Sequence, residues 1–177
     1  MIKLLDILLE GGNILIPRRS KEERSKNHII TLQKKIQQYI KDGSRGDLNL
    51  SNTPIQSLPD NLTVGGSLGL YNTPIQSLPD NLKVGESLNL SNTPIQSLPD
   101  NLKVGGDLNL GNTQIQSLPN NLKVGGYLNL GNTPIQSLPD NLTVGGNLLL
   151  SNTPIARKYN EEEIRKMVPN VKRKILI

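Results

Sequence analysis

The stretch LNLSNTPIQSLPDNLKVGG, from Leu88 to Gly106, recurs with few changes along most of the chain. Its copies follow one another every 20 residues without an insertion. A constant period of this length predicts a solenoid, in which each repeat (one coil) buries its apolar side chains against its neighbours. Six coils are expected, and their strands begin at Leu48, Leu68, Leu88, Leu108, Leu128 and Leu148.

The residues within one coil predict its path. Leu108 and Leu110 alternate with polar residues or glycine, which is typical of a half-buried strand. Leu118-Pro119 turns the chain to the other side of the coil, and Gly125-Gly126 returns it, because glycine tolerates a positive φ and close approach. Each coil therefore offers six apolar side chains to the core: in this copy Leu108, Leu110, Ile115, Leu118, Leu122 and Val124.

Proline follows the coil's threonine in five of the six copies, and Gln114 replaces it in the other. Because proline has no N–H, the strand ladder is expected to stop near Leu50, Leu70 and their equivalents. The short connection that follows predicts an extended or 3₁₀ segment on the convex side.

The spacing L-x-L-x-x-T-x-I-x-x-L-P-x-x-L resembles the leucine-rich repeat, in the short form with Leu-Pro that is found in bacterial and phage proteins. The resemblance covers residues 47–155 and implies a parallel sheet on the concave face. Threonine stands where the family has a buried asparagine, and its hydroxyl offers one donor where an amide offers two. The threonines are Thr53, Thr73, Thr93, Thr113, Thr133 and Thr153.

The segments that flank the repeats are expected to cap the apolar ends of the solenoid. Residues 1–46 form the N-terminal segment and cap, with an amphipathic helix from Ser20 to Lys41 whose first turn carries a Ser20–Glu23 capping box. Residues 156–177 form the C-terminal cap, a short helix starting at Asn160 and a last strand. In that strand we expect the inward-facing residues to be Val171, Ile175 and Ile177.

Charge is unevenly distributed. Residues 1–46 carry 10 basic and 5 acidic residues, residues 47–150 carry 3 and 7, and residues 151–177 carry 7 and 3. The chain has no cysteine, and charges interrupt its first apolar run. We therefore expect no signal peptide, no transmembrane segment and a cytoplasmic location, although a secreted repeat protein could also lack cysteine. The first run is interpreted as an amphipathic helix that includes Leu9, or else as a membrane-surface anchor.

No catalytic or cofactor motif is apparent. The chain has a single histidine, His28, expected to be exposed on the first helix, and its glycine pairs do not form a phosphate-binding loop. We predict a non-enzymatic protein without cofactor or metal.

The outward-facing strand residues form three columns on the concave face, and these are small and mostly polar. Binding energy at interfaces concentrates in a few large side chains, so we predict a protein partner on this face. The candidate residues are Tyr71, Tyr127, Leu149, Asn89, Asn109, Asn129 and Asp107.

Three alternatives to this prediction remain open. The chain could be a structural spacer of a phage particle or bacterial assembly. It could bind nucleic acid or another anionic surface through its basic ends, although these lack stacking aromatic residues. It could also dimerise through its last strand, which lies at a sheet edge. The basic candidates are Arg18, Arg19, Lys21, Arg24 and Lys26, and Lys172, Arg173 and Lys174.

Overall fold

The computed structural model describes residues 9–10, 13–14 and 20–177. The repeats form a parallel β-solenoid, as predicted, but about five of the six expected coils are complete, and the C-terminal cap closes the sixth. Each of the six repeats contributes one two-residue strand to a seven-stranded sheet (the front sheet), and the C-terminal cap contributes the seventh. Five of the repeats also contribute one strand each to a five-stranded sheet (the back sheet). The front strands are Leu48–Asn49, Leu68–Gly69, Leu88–Asn89, Leu108–Asn109, Leu128–Asn129, Leu148–Leu149 and Ile175–Leu176. The back strands are Thr63–Val64, Lys83–Val84, Lys103–Val104, Lys123–Val124 and Thr143–Val144.

The core lies between the two sheets, and successive coils stack in register. Leu108, for example, pairs with Leu88 on one side and with Leu128 on the other. All six apolar positions of that coil are buried, and the same positions are buried in the other complete coils. Each such side chain contributes about 1.5–3 kcal/mol of burial free energy.

The convex segments are extended, and their Thr/Lys-Val dipeptides pair into the back sheet. The sequence did not show this second sheet. The front ladder stops where proline was expected to stop it: Leu50 and Asn52 still donate to the next coil, to Gly69 O at 2.8 Å and Tyr71 O at 2.8 Å. Gln114, which replaces a proline, has an N–H and donates it to Ile95 O at 3.1 Å.

The glycine pairs are needed for close approach and not for a positive φ. Within the described residues, the only glycines at positive φ are Gly43 and Gly46, outside the repeats. The left-handed turns are made by asparagine, such as Asn92 at φ 57° and Asn61 at φ 57°. A Cβ on the glycine that follows the back-strand valine would instead overlap the carbonyl oxygen of the equivalent glycine one coil earlier. This holds for Gly85, Gly105, Gly125 and Gly145.

The N-terminal cap agrees with the prediction. Helix α1 spans Lys21–Lys41, begins at the Ser20–Glu23 capping box and is followed by Gly43 at φ 83°. Leu32 and Ile36 are buried against the first coil. The predicted helix over the first apolar run lies mostly outside the described residues, and Leu9–Glu10 pairs as an antiparallel strand with Asn13–Ile14.

The C-terminal cap closes the sixth coil with two helices. Thr153 caps α2 (Pro154–Lys158), a helix that the sequence analysis missed, and Asn160 caps α3 (Glu161–Met167) as expected. The chain then returns through a bridge between Val144 and Val171 to the strand Ile175–Leu176. Ile177 was expected to point inward, but it is 51% exposed because no further coil among the described residues covers it.

Within the part of the chain that the structure describes, no helix has the length and apolar character needed to span a lipid bilayer.

We predict that Gly105→Ala lowers the free energy of unfolding by about 1–3 kcal/mol, because its Cβ would meet backbone that cannot rotate away. The matched control is Gly106→Ala. Glu86 already carries a side chain at the equivalent position. A Cβ on Gly106 would lie 2.9 Å from Ser87 Oγ and 3.0 Å from the backbone carbon of Glu86, against 2.0 Å from Gly85 O for a Cβ on Gly105. Urea unfolding measures both variants, and equal losses would contradict the proposed close stacking.

Candidate partner-binding surface

The front face carries the three predicted columns, because outward residues alternate with buried leucines along each front strand. Asn89, Asn109 and Asn129 stand in register on adjacent strands and are half-buried. Tyr127 is 50% exposed and Tyr71 is 38% exposed. These two are the only aromatic residues of the repeats.

A shallow depression of about 320 Å³ lies on this face over the later coils. It brings together six of the seven predicted residues, and Tyr71 is not among its lining. The depression is lined by Ser87, Leu88, Asn89, Asp107, Leu108, Asn109, Tyr127, Asn129 and Leu149.

The asparagine side chains have a fixed orientation in this depression. Asn109 Oδ1 accepts the Gly111 N–H at 3.0 Å, and Asn129 Oδ1 accepts the Gly131 N–H at 2.9 Å. Because a backbone N–H can only donate, the oxygen must face it, and the amide NH₂ group faces away. Asn129 Nδ2 donates to Asn109 Oδ1 at 3.1 Å. The surface therefore offers hydrogen-bond donors held by the backbone beside one tyrosine and one leucine.

The outermost column is a ladder in which each polar side chain accepts the backbone N–H of the next coil. Asp47 accepts from Ser67 at 2.7 Å, Ser87 from Asp107 at 3.1 Å, and Asp107 from Tyr127 at 2.8 Å. Tyr127 interrupts the ladder, since its hydroxyl stands at the far end of the ring. Among the described residues, none accepts the Asn147 N–H.

The ring of Tyr127 occupies space left by a glycine of the next coil. A Cβ on Gly146 would lie 2.7 Å from Tyr127 Cδ1. The tyrosine therefore packs along the backbone instead of standing free in solvent, which reduces the entropy that a partner must remove from it.

Leu176 extends this surface and was missed by the sequence analysis. Its strand pairs in parallel with Leu148–Leu149, so Leu176 stands beside Leu149 in the middle column and is 41% exposed. One signal was present in the sequence: Val171–Ile177 (VKRKILI) has the same apolar spacing as Val144–Leu150 (VGGNLLL).

The predicted basic groups remain at the ends of the solenoid. Arg18, Arg19 and the side chain of Lys21 lie outside the part of the chain that the structure describes. Arg24 and Lys26 are exposed on α1, where Lys26 pairs with Glu22 at 2.9 Å. The second group, formed by Lys172, Arg173 and Lys174, is also exposed.

Titratable groups do not form a reactive cluster on the described part of the molecule. No group of three His, Cys, Asp or Glu residues there could hold a metal ion, and His28 is exposed on α1. A hydrogen bond to Tyr159 raises the pKa of Lys158, and its ammonium lies 5.0 Å from the centre of that ring. A larger depression of about 580 Å³ separates α1 from the first coil and is lined by apolar and neutral polar residues such as Ile29, Gln33 and Pro54.

A scan against protein-family models finds no match to the chain, and a search of curated proteins also finds none. The shape of the solenoid and the chemistry of its front face therefore carry the functional argument.

We predict that Tyr127→Ser is more stable than Tyr127→Ala by about 1 kcal/mol, because serine at this position accepts the next coil's N–H as Ser87 does. Both variants lose the same ring, so their difference isolates the missing bond of the ladder. Chemical unfolding of the two proteins gives this difference, and identical midpoints would contradict the ladder.

Proposed function

We propose that the chain is a non-catalytic protein-interaction module of the leucine-rich-repeat class that binds a partner protein on its front face. The observation that carries the proposal is the depression in which Tyr127 and Leu149 lie beside the oriented amides of Asn89, Asn109 and Asn129. Aromatic residues surrounded by fixed polar groups are typical of energetic centres of protein interfaces.

The repeat class is supported by the threonine that replaces the family's asparagine. Its hydroxyl donates to the carbonyl oxygen three residues earlier, for example from Thr113 to Leu110 at 2.7 Å and from Thr93 to Leu90 at 2.6 Å. The threonine thus supplies a buried hydrogen bond at the position where the family frame needs one. The proposal includes a cytoplasmic setting in a bacterial or phage-infected cell, which rests on this resemblance and on the absence of cysteine.

The interruption of the ladder at Tyr127 also supports a binding role. A small polar residue stands at this position in the five other coils, and in each of them its side chain accepts a backbone N–H from the coil or cap that follows. A tyrosine there forgoes that bond and exposes apolar area, which a purely structural repeat has no reason to do. Stability given up at a defined surface position is typical of functional sites.

A structural spacer and a binder of anionic surfaces are the competing functions. The near-identity of the coils supports the spacer, and the exposed group Lys172, Arg173 and Lys174 supports the anionic surface. The spacer would be insensitive to changes in the depression. The anionic surface would bind with an affinity that falls steeply with salt.

We predict that Tyr127→Ala weakens binding of the partner at least about tenfold, because it removes the largest side chain of the depression. The matched control is Tyr71→Ala, which removes the other tyrosine of the same face but lies outside the depression. Partners would be captured from lysate of the source organism with nuclease and high-salt washes, and the affinity of each purified candidate would then be measured.

Equal binding by the two variants would contradict recognition in the depression. Binding that neither substitution changes, but that nuclease or high salt removes, would favour the basic ends as the binding site. Association that survives both variants but fails when a cap is altered would favour the spacer.

A further inference from the structure

The two edges of the front sheet differ. At the Leu48–Asn49 edge, α1 lies over the first coil, and Lys35 Nζ donates to Asn49 O at 2.6 Å. At the other edge stands Ile175–Leu176, the last strand of the sheet. No other strand among residues 20–177 pairs with the free side of this strand.

The hydrogen bonds of the preceding coil show which backbone groups of the strand Ile175–Leu176 face away from the sheet. Leu148 N–H donates to Lys174 O at 2.9 Å, and Leu150 N–H donates to Leu176 O at 2.7 Å. Ile175 and Ile177 stand in register with those two leucines, so their N–H groups point to where a further strand would lie. Within residues 20–177 neither N–H has a hydrogen-bond acceptor.

The neighbouring edge of the back-sheet ladder is closed in a different way. Val144 O accepts the N–H of Lys172 at 3.0 Å. Val171 is the partner of Val144 in this ladder, so Val171 O would accept the N–H of a further coil in the same way. The Arg165 guanidinium occupies that place, donating to Val171 O at 3.4 Å and to Arg173 O at 3.0 Å. A side chain thus replaces the next coil at this edge, and the front sheet has no such replacement among the described residues.

The surroundings of the open strand specify the chemistry of an occupant. Leu176 (41% exposed) and Ile177 (51% exposed) offer apolar contacts beside Leu149. The exposed residues Lys172 to Lys174 supply three positive charges directly before the strand. A second copy of the chain would present its own segment 172–177 at this edge, and that segment contains no acidic residue that could meet the three positive charges.

We propose that this edge binds an extended acidic segment of a partner protein as an added β-strand. The inference deepens the proposed function and rests on it, since the added strand would continue the sheet whose front face carries the depression. Main-chain hydrogen bonds to Ile175 and Ile177 would hold the segment, apolar side chains would contact Leu176, and acidic side chains would meet the basic group.

The test uses a fluorescent peptide of alternating glutamate and valine, with an alternating lysine–valine peptide as the charge control. Ile177→Pro removes one outward N–H and leaves the preceding residue in the extended conformation that it already has. Ile177→Val keeps the N–H and a similar side chain. We expect Ile177→Pro to bind the acidic peptide about fivefold more weakly than Ile177→Val, and the basic peptide to bind neither.

Equal affinities of the proline and valine variants would overturn the added strand, as would equal binding of both peptides. A concentration-dependent dimer, seen by sedimentation and lost in Ile177→Pro, would overturn it in favour of a second copy. The proposed function is tested separately by the binding of the partner protein to the same variants. A partner that does not bind Tyr127→Ala but binds Ile177→Pro and Ile177→Val equally would support recognition in the depression and overturn the added strand.

Discussion

Successive coils approach each other backbone to backbone at the first glycine of the V-G-G segment, where there is no room for a side chain. Gly105 lies so near the carbonyl of Gly85 that no Cβ fits between them, and Gly125 repeats the contact one coil later. Such a contact sets the spacing of the coils at the back of the solenoid. With this spacing, coils of equal length and an alternating apolar pattern hold each strand in register, so leucine stacks on leucine in the core and asparagine on asparagine outside it. The order of the front face therefore depends on the glycine contact and on the constant length of the coils.

The period of the sequence was sufficient to predict the solenoid and its buried positions, and the patterns of the flanking segments predicted α1, α3 and the last strand but not α2. The sequence did not show which residue type makes the left-handed turns, because glycine and asparagine both adopt a positive φ. In the repeats the structure uses asparagine, as at Asn92 and its equivalents. It also could not show that Pro154 begins a helix. The threonine–proline pair is the same in five coils, and only the following residues, Ala156 to Lys158, depart from the repeat.

The candidate surface was partly predictable for the same reason. Strand alternation shows which side chains point outward, and this gave Tyr127, Leu149 and the asparagines. Alternation does not show which outward residues share a depression, and Tyr71 proved to lie apart from it. Leu176 could be placed beside Leu149 only once the register of the last strand was known.

Backbone hydrogen bonds are left unmade at two places on the front of the described structure, and both lie towards its C-terminal end. Tyr127 interrupts a ladder of side-chain to backbone bonds, and the last strand, Ile175–Leu176, has outward N–H groups that find no acceptor among residues 20–177. The adjacent back edge shows that the chain can close such a site, because Arg165 covers the carbonyls of Val171 and Arg173. The open front edge and the depression therefore form one continuous region, which both the proposed function and the added strand use.

Amide hydrogen exchange followed by NMR tests the central claim most directly, namely that coils stack in register up to an open front edge. The account predicts slow exchange for the amides of Leu148 and Leu150, which donate to the last strand, and near-unprotected exchange for Ile175 and Ile177. Slow exchange of all four amides in the isolated protein would show that another strand already covers the edge. Fast exchange of all four would contradict the register itself.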